Sequence, residues 1–128
     1  MFSCGLTSAG LGGYEGRMAF VSRIVEGVSI LDLEGEIDLY KSPELRAEIG
    51  KLIIRKEKAV AINFLRVTYI DSSGLATVID AFQKIRGYGG KLALFSLAKS
   101  VRSVFEVARL DKFFPIYDEE PAVVASFK

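Results

Sequence analysis

The run Ala59-Val60-Ala61-Ile62-Asn63-Phe64, a connection ending in Val67-Thr68-Tyr69-Ile70, and then Asp71-Ser72-Ser73-Gly74-Leu75 together decide the architecture of this chain. An unbroken apolar run this short suits a strand buried on both faces, and the small polar residues after it suit the mouth of a helix. A strand is therefore predicted over 59–64 and a helix from near Ser73, with Leu75, Val78, Ile79, Phe82 and Ile85 on its apolar face. The helix stops at Gly87-Tyr88-Gly89-Gly90, and a second strand is predicted over 91–96. Strand, helix, strand in this order implies a right-handed crossover and parallel pairing.

Two hydroxyls thus sit where a sheet hands over to a helix. The first backbone N–H groups of a helix lack partners inside it and carry roughly half a positive charge. An anion is tolerated there, including a phosphate brought by a ligand or attached to Ser72. Asp71, Ser72 and Ser73 are equally competent N-caps, a role worth about 1 kcal/mol, and local sequence does not separate the two roles.

Upstream, residues 1–17 contain five of the twelve glycines and no sustained periodicity, which reads as a flexible leader without the dinucleotide-binding fingerprint. The structured domain is expected over 18–128, and Met18 is a conceivable native start. Two β-rich runs, 18–25 and 28–34, flank Glu26-Gly27, a connection of hairpin length, so the first two strands should be antiparallel. Gly35-Glu36-Ile37-Asp38-Leu39-Tyr40 reads as a turn with two solvated carboxylates. The next helix has Ser42 as N-cap, Pro43 at its first position, and Leu45, Ile49, Leu52 and Ile53 at helical spacing. Lys51, Arg55, Lys56 and Lys58 fall at its end, where cations suit the negative pole.

Downstream, Ser100 is the expected cap of a helix with Val101, Val104, Phe105 and Ala108 on its apolar face. A short strand over 113–117 follows. Asp118-Glu119-Glu120-Pro121 opens a last helix carrying Val123, Val124 and Phe127.

Composition narrows the chemistry. The 128 residues are half hydrophobic, enough for one domain with a real core, and 17 basic against 16 acidic residues leave a formal charge of +1. That balance gives no general reason to bind nucleic acid or an anionic membrane. Histidine is absent and Cys4 is the sole cysteine, so neither an intramolecular disulfide, a Ser-His-Asp triad nor a Cys/His zinc site can be built. Gly90-Lys91 lacks the rest of a P-loop, and Ser96-Leu97-Ala98-Lys99 lacks the companion motifs of a Ser-x-x-Lys enzyme. No apolar run approaches the length of a membrane span. The expectation is a cytoplasmic, non-enzymatic protein without metal or cofactor.

Four landmarks stand in order: Gly35-Glu36-Ile37-Asp38, residues 67–75, Gly89-Gly90-Lys91-Leu92, and Ser100-Val101-Arg102-Ser103-Val104-Phe105. Together they resemble a STAS domain of the bacterial anti-sigma factor antagonists, over 18–128. The resemblance implies an α/β fold, with a mixed sheet of about five strands and helices mainly on one face. It further implies that Ser72, with Ser73 as the alternative, is phosphorylated by an anti-sigma factor that is itself a serine kinase. Unphosphorylated antagonist binds that partner and frees a sigma factor for transcription; a serine phosphatase restores it. Asp38, Tyr40, Asp71, Ser72, Ser73, Gly74 and Leu75 form the implied binding face. Asn63 departs from the family pattern, where many members carry an aspartate. The alternatives are a STAS component of a larger stress-signalling or lipid-transport assembly, or a nucleotide-binding module.

Overall fold

Five strands form one mixed sheet in the order β1-β2-β3-β4-β5, in a computed structural model that describes residues 20–128. The expected leader over 1–17, Cys4 and Met18 lie outside the described residues. β1 (Val21–Val25) and β2 (Val28–Ile37) are antiparallel, closed by Glu26 and Gly27. Both turn residues have positive φ, 50° and 84°, as a two-residue turn matched to strand twist requires. β3 (Ala59–Ile70) pairs in parallel with β2 on one side and with β4 (Lys91–Phe95) on the other, so the apolar run that opens it lies at the centre of the sheet. β5 (Ile116–Tyr117) completes the other edge.

The connecting helices α1 (Ser42–Ile54), α2 (Ser72–Gly87) and α3 (Lys99–Val107) bury their apolar stripes on one face of the sheet. The core there contains Leu45, Leu52, Ile62, Phe64, Val78, Ile85 and Phe105. Phe105 meets Phe64 and Phe114 edge-on, at centroid separations of 6.0 and 5.8 Å. The short α4 (Glu120–Ser126) covers part of the opposite face, setting Val123 and Val124 on Val28, Ile30, Ala61 and Ala93. Alternation along β3 explains both layers: Val60, Ile62 and Phe64 point to the larger core, and Ala61 to the smaller.

Several expected boundaries move. β3 does not end at Phe64 but continues through the expected connection to Ile70. β2 likewise runs through Gly35 and Glu36, which were expected in a turn. The two extensions pair with each other, Glu34 with Arg66 and Ile37 with Ile70, across register shifts that break the period of two. Ser42 lies inside α1, not at its cap. Its hydroxyl donates to the Asp38 carbonyl at 2.8 Å. Ser100 is likewise inside α3, whose cap position is Ala98. Of the strand expected over 113–117 only the last two residues pair, because a 3-10 turn at Leu110–Lys112 leads Phe114 into the core.

Beyond the apolar cover of α4 lies a polar cluster. Arg23 donates to both carboxylate oxygens of Asp32, at 2.6 and 3.0 Å, and also to Glu120 of α4. Asn63 Nδ2 donates to Asp32 Oδ1 at 2.8 Å, which accounts for an asparagine here: an aspartate would place a second carboxylate against Asp32 and remove a donor. Burial pushes the Asp32 carboxyl up, but the hydrogen bonds from Arg23 and Asn63 and the charges of Arg23 and Arg66 outweigh it, holding the group below its ordinary 3.8. A depressed carboxyl contributes stability above its unfolded value that is lost as pH falls through the folded value. Asn63→Asp is therefore expected to destabilise the fold by about 1 kcal/mol at pH 7. Urea melts should show this gap narrowing as pH falls and the carboxylate pair, whose mutual repulsion favours the protonated form, takes up a proton.

Candidate functional site

The carboxyl ends of β2 and β3 lie side by side, and each runs straight into a helix on the same face of the sheet. At the end of β2, Asp38 makes the turn. Its Oδ1 accepts from the backbone N–H of Tyr40 (3.0 Å) and Lys41 (3.1 Å), and its carbonyl accepts from Ser42 N at 2.9 Å. The side chain thus shapes the loop, an Asx-type role, and leaves Leu39 and Tyr40 standing outward, 64% and 84% exposed.

At the end of β3, Asp71 is the N-cap of α2. Its backbone is extended, and its Oδ1 accepts from Ser73 N at 2.9 Å and Gly74 N at 3.1 Å. The Asp71 carbonyl accepts from Leu75 N at 2.9 Å. Of the three candidate caps, the aspartate therefore does the work. Ser72 is exposed at the first helical position, and its hydroxyl makes no hydrogen bond among the described residues. Ser73 is half-buried and directed toward α1; Gly74 is buried and Leu75 half-buried against the core. A free anionic ligand meets a helix end whose Ser73 and Gly74 amides are already taken by a carboxylate, which weighs against a nucleotide phosphate seated there.

The two turns are fastened together. Asp71 N donates to the Ile37 carbonyl at 3.2 Å, and Gly74 packs directly on Ile37. The structure accordingly brings the Asp38 turn next to the first turn of α2, through Ile37 against Asp71 and Gly74 and Leu39 beside Ser73, with Tyr40 exposed on that turn and Leu75 turned inward as packing. Three residues of this region were not singled out from the sequence. Leu39 and Arg46 line a groove with Ser73. Thr77, buried in α2, donates its hydroxyl to the Ser73 carbonyl at 3.0 Å and accepts from Arg46 Nη2 at 3.4 Å. Thr77 lies four residues after Ser73, a spacing that carries a local signal; the meeting of Arg46 with Ser73 depends on how α1 and α2 pack.

Asp71→Ala should destabilise the protein by about 1–2 kcal/mol, since it leaves two amides of α2 without their acceptor. Asp71→Asn, which keeps an acceptor oxygen, should recover most of that loss in thermal melts.

Comparison with known proteins agrees with the landmarks. The STAS domain model matches residues 19–122. BtrV of Bordetella bronchiseptica, provisionally named an anti-sigma factor antagonist, is 31% identical over 81% of this chain and 90% of its own length. The anti-sigma F factor antagonist of Paenibacillus polymyxa is 30% identical over 73% of this chain and 81% of its own. Among solved structures, the anti-sigma factor antagonist SpoIIAA in its unphosphorylated form superposes with a TM-score of 0.63 at 25% identity, covering 80% of this chain and 89% of that one.

Proposed function

This chain belongs to the STAS-domain family of anti-sigma factor antagonists, and from that membership we propose that it is a partner-switching regulator controlled by phosphorylation of Ser72. In the unphosphorylated state it binds an anti-sigma factor through the face made by the Asp38 turn and the first turn of α2, and so releases a sigma factor for transcription. The anti-sigma factor is the serine kinase that modifies Ser72, and a serine phosphatase reverses the modification. The chain acts by stoichiometric binding in the cytoplasm, not by catalysis. No helix of the described residues is long and apolar enough to cross a membrane.

The observation that carries this reading is the division of labour between neighbours: Asp71 holds the helix end, which leaves the exposed Ser72 hydroxyl without a structural task. SpoIIAA, a structural neighbour described in its unphosphorylated form, supports phosphorylation as the means of control. A phosphate adds about −1.5 to −2 charges. On the free protein it projects into water from the positive end of α2, so the fold survives. Against a surface fitted to a neutral hydroxyl, the same charge must be desolvated without a dedicated counter-ion, at a cost of several kcal/mol.

The test is capture from the native cell with the Ser72→Ala protein, read by mass spectrometry, followed by incubation of wild type with the captured partner and ATP. The expected result is an anti-sigma factor in the capture and a single phosphate mapping to Ser72. A phosphate on Ser73 moves the site by one residue; a capture without any anti-sigma factor, or modification outside these two serines, contradicts the reading.

A further inference from the structure

Between the first turns of α1 and α2 lies an open groove lined by Leu39, Ser42, Pro43, Arg46, Ser73 and Ala76. Its lining carries a single charge, that of Arg46. Arg23, Arg55 and Arg102 each pair with a carboxylate. No carboxylate pairs with Arg46 among the described residues; its guanidinium is steadied by Thr77 Oγ1, which is itself tied to the Ser73 carbonyl. The groove is thus an apolar wall with one steadied cation, adjoining the exposed Leu39 and Tyr40 and continuous with the proposed switch through Ser73. Arg46 also borders a second groove that continues between α1 and α2 past Ile53 and Asp80.

Resting on the reading of this face as the seat of the anti-sigma factor, we propose that Arg46 determines partner specificity. It receives a carboxylate from an acidic segment of the anti-sigma factor whose flanking apolar residues pack on Leu39, Pro43 and Ala76. Charge complementarity selects an acidic occupant, because a planar guanidinium offers paired donors that match a carboxylate. The same geometry gives the switch a second lever. A phosphate on Ser72, one residue from the groove, brings about −1.5 to −2 charges beside it, more than the single positive charge of the lining, so the attraction for a carboxylate is lost.

The experiment measures affinity for the captured anti-sigma factor by calorimetry, using wild type, Ser72→Asp, Arg46→Gln, Arg46→Glu, Arg46→Lys and Arg86→Glu. Arg86→Glu makes the same charge change as Arg46→Glu but lies about 20 Å along α2 from Ser73. Arg46→Glu is expected to lower affinity about tenfold or more in about 0.1 M salt, Arg46→Gln by about threefold and Arg46→Lys least, with the differences shrinking toward 1 M salt. Arg86→Glu should stay within about twofold of wild type. Equal effects of Arg46→Glu and Arg86→Glu, or no effect of either Arg46→Glu or Arg46→Gln, overturn the proposal and leave the Ser72 switch standing. Failure of wild type to bind, or equal binding by wild type and Ser72→Asp, overturns the underlying reading and this proposal with it. Melting temperatures verify folding, and Arg46→Gln carries the test if Arg46→Glu does not fold.

Discussion

Ser72→Asp is expected to fold as wild type does and to bind the anti-sigma factor at least tenfold more weakly, while Ser72→Ala binds as wild type and escapes phosphorylation. The fold is indifferent to both changes because Asp71, not Ser72, accepts the α2 amides. Ser72 is exposed, so its alanine variant gives up neither packing nor a hydrogen bond among the described residues. An aspartate carries one negative charge where phosphate carries about −1.5 to −2, so the mimic is partial. At about 1.4 kcal/mol per decade, the full phosphate should remove two to three decades of affinity without a large structural change. Equal affinities for the alanine and aspartate variants would contradict this account. Weak binding by an aspartate variant that has also lost its thermal transition would return Ser72 to a structural role.

Gly74→Ala should destabilise the protein by about 3 kcal/mol, the upper end of the usual cost of overpacking. A Cβ at this position would lie 2.7 Å from Ile37 Cγ2, 2.7 Å from the Ile37 carbonyl oxygen and 2.9 Å from Ile70 Cγ1. The carbonyl cannot yield easily, because it is backbone within the sheet and accepts the Asp71 N–H. The first turn of α2 would therefore have to lift away from the end of β2, carrying Ser72 away from the Asp38 turn. Partner binding should fall together with stability. Gly50→Ala in α1 is the contrast: nothing lies within 4 Å of its added Cβ, so an increase of about 0.5–1 kcal/mol is expected from helix propensity. Urea denaturation of both variants checks the pair, and a Gly74→Ala protein as stable as wild type would remove the proposed lock between the two turns.

The central strand was legible because the run Val60-Ala61-Ile62 is apolar on both faces, and only an interior strand covered on both sides requires that. Glu26-Gly27 signalled the hairpin by the same logic of local necessity. The extension of β3 was not legible. Leu65 and Arg66 are both exposed, and the register shifts against β2 replace alternation with a different spacing, so residues 65–70 do not read as a strand in isolation. The caps failed for a related reason. Ser42 and Ser100 are good capping residues one and two positions too late, and the Asp38 turn organises the entry to α1 from outside the helix. At the site, Asp71-Ser72-Ser73-Gly74 was visible as a motif. The reason for its glycine, contact with Ile37 at the end of β2, and the arrival of Arg46 from another helix exist only in the packed structure.

The most direct measurement is a calorimetric titration of the anti-sigma factor with wild-type chain before and after stoichiometric phosphorylation, with circular dichroism on both samples. The account predicts superimposable spectra and a loss of affinity of about two to three decades on phosphorylation, restored by phosphatase treatment. Equal affinity of the two forms, or a loss accompanied by unfolding, would contradict it.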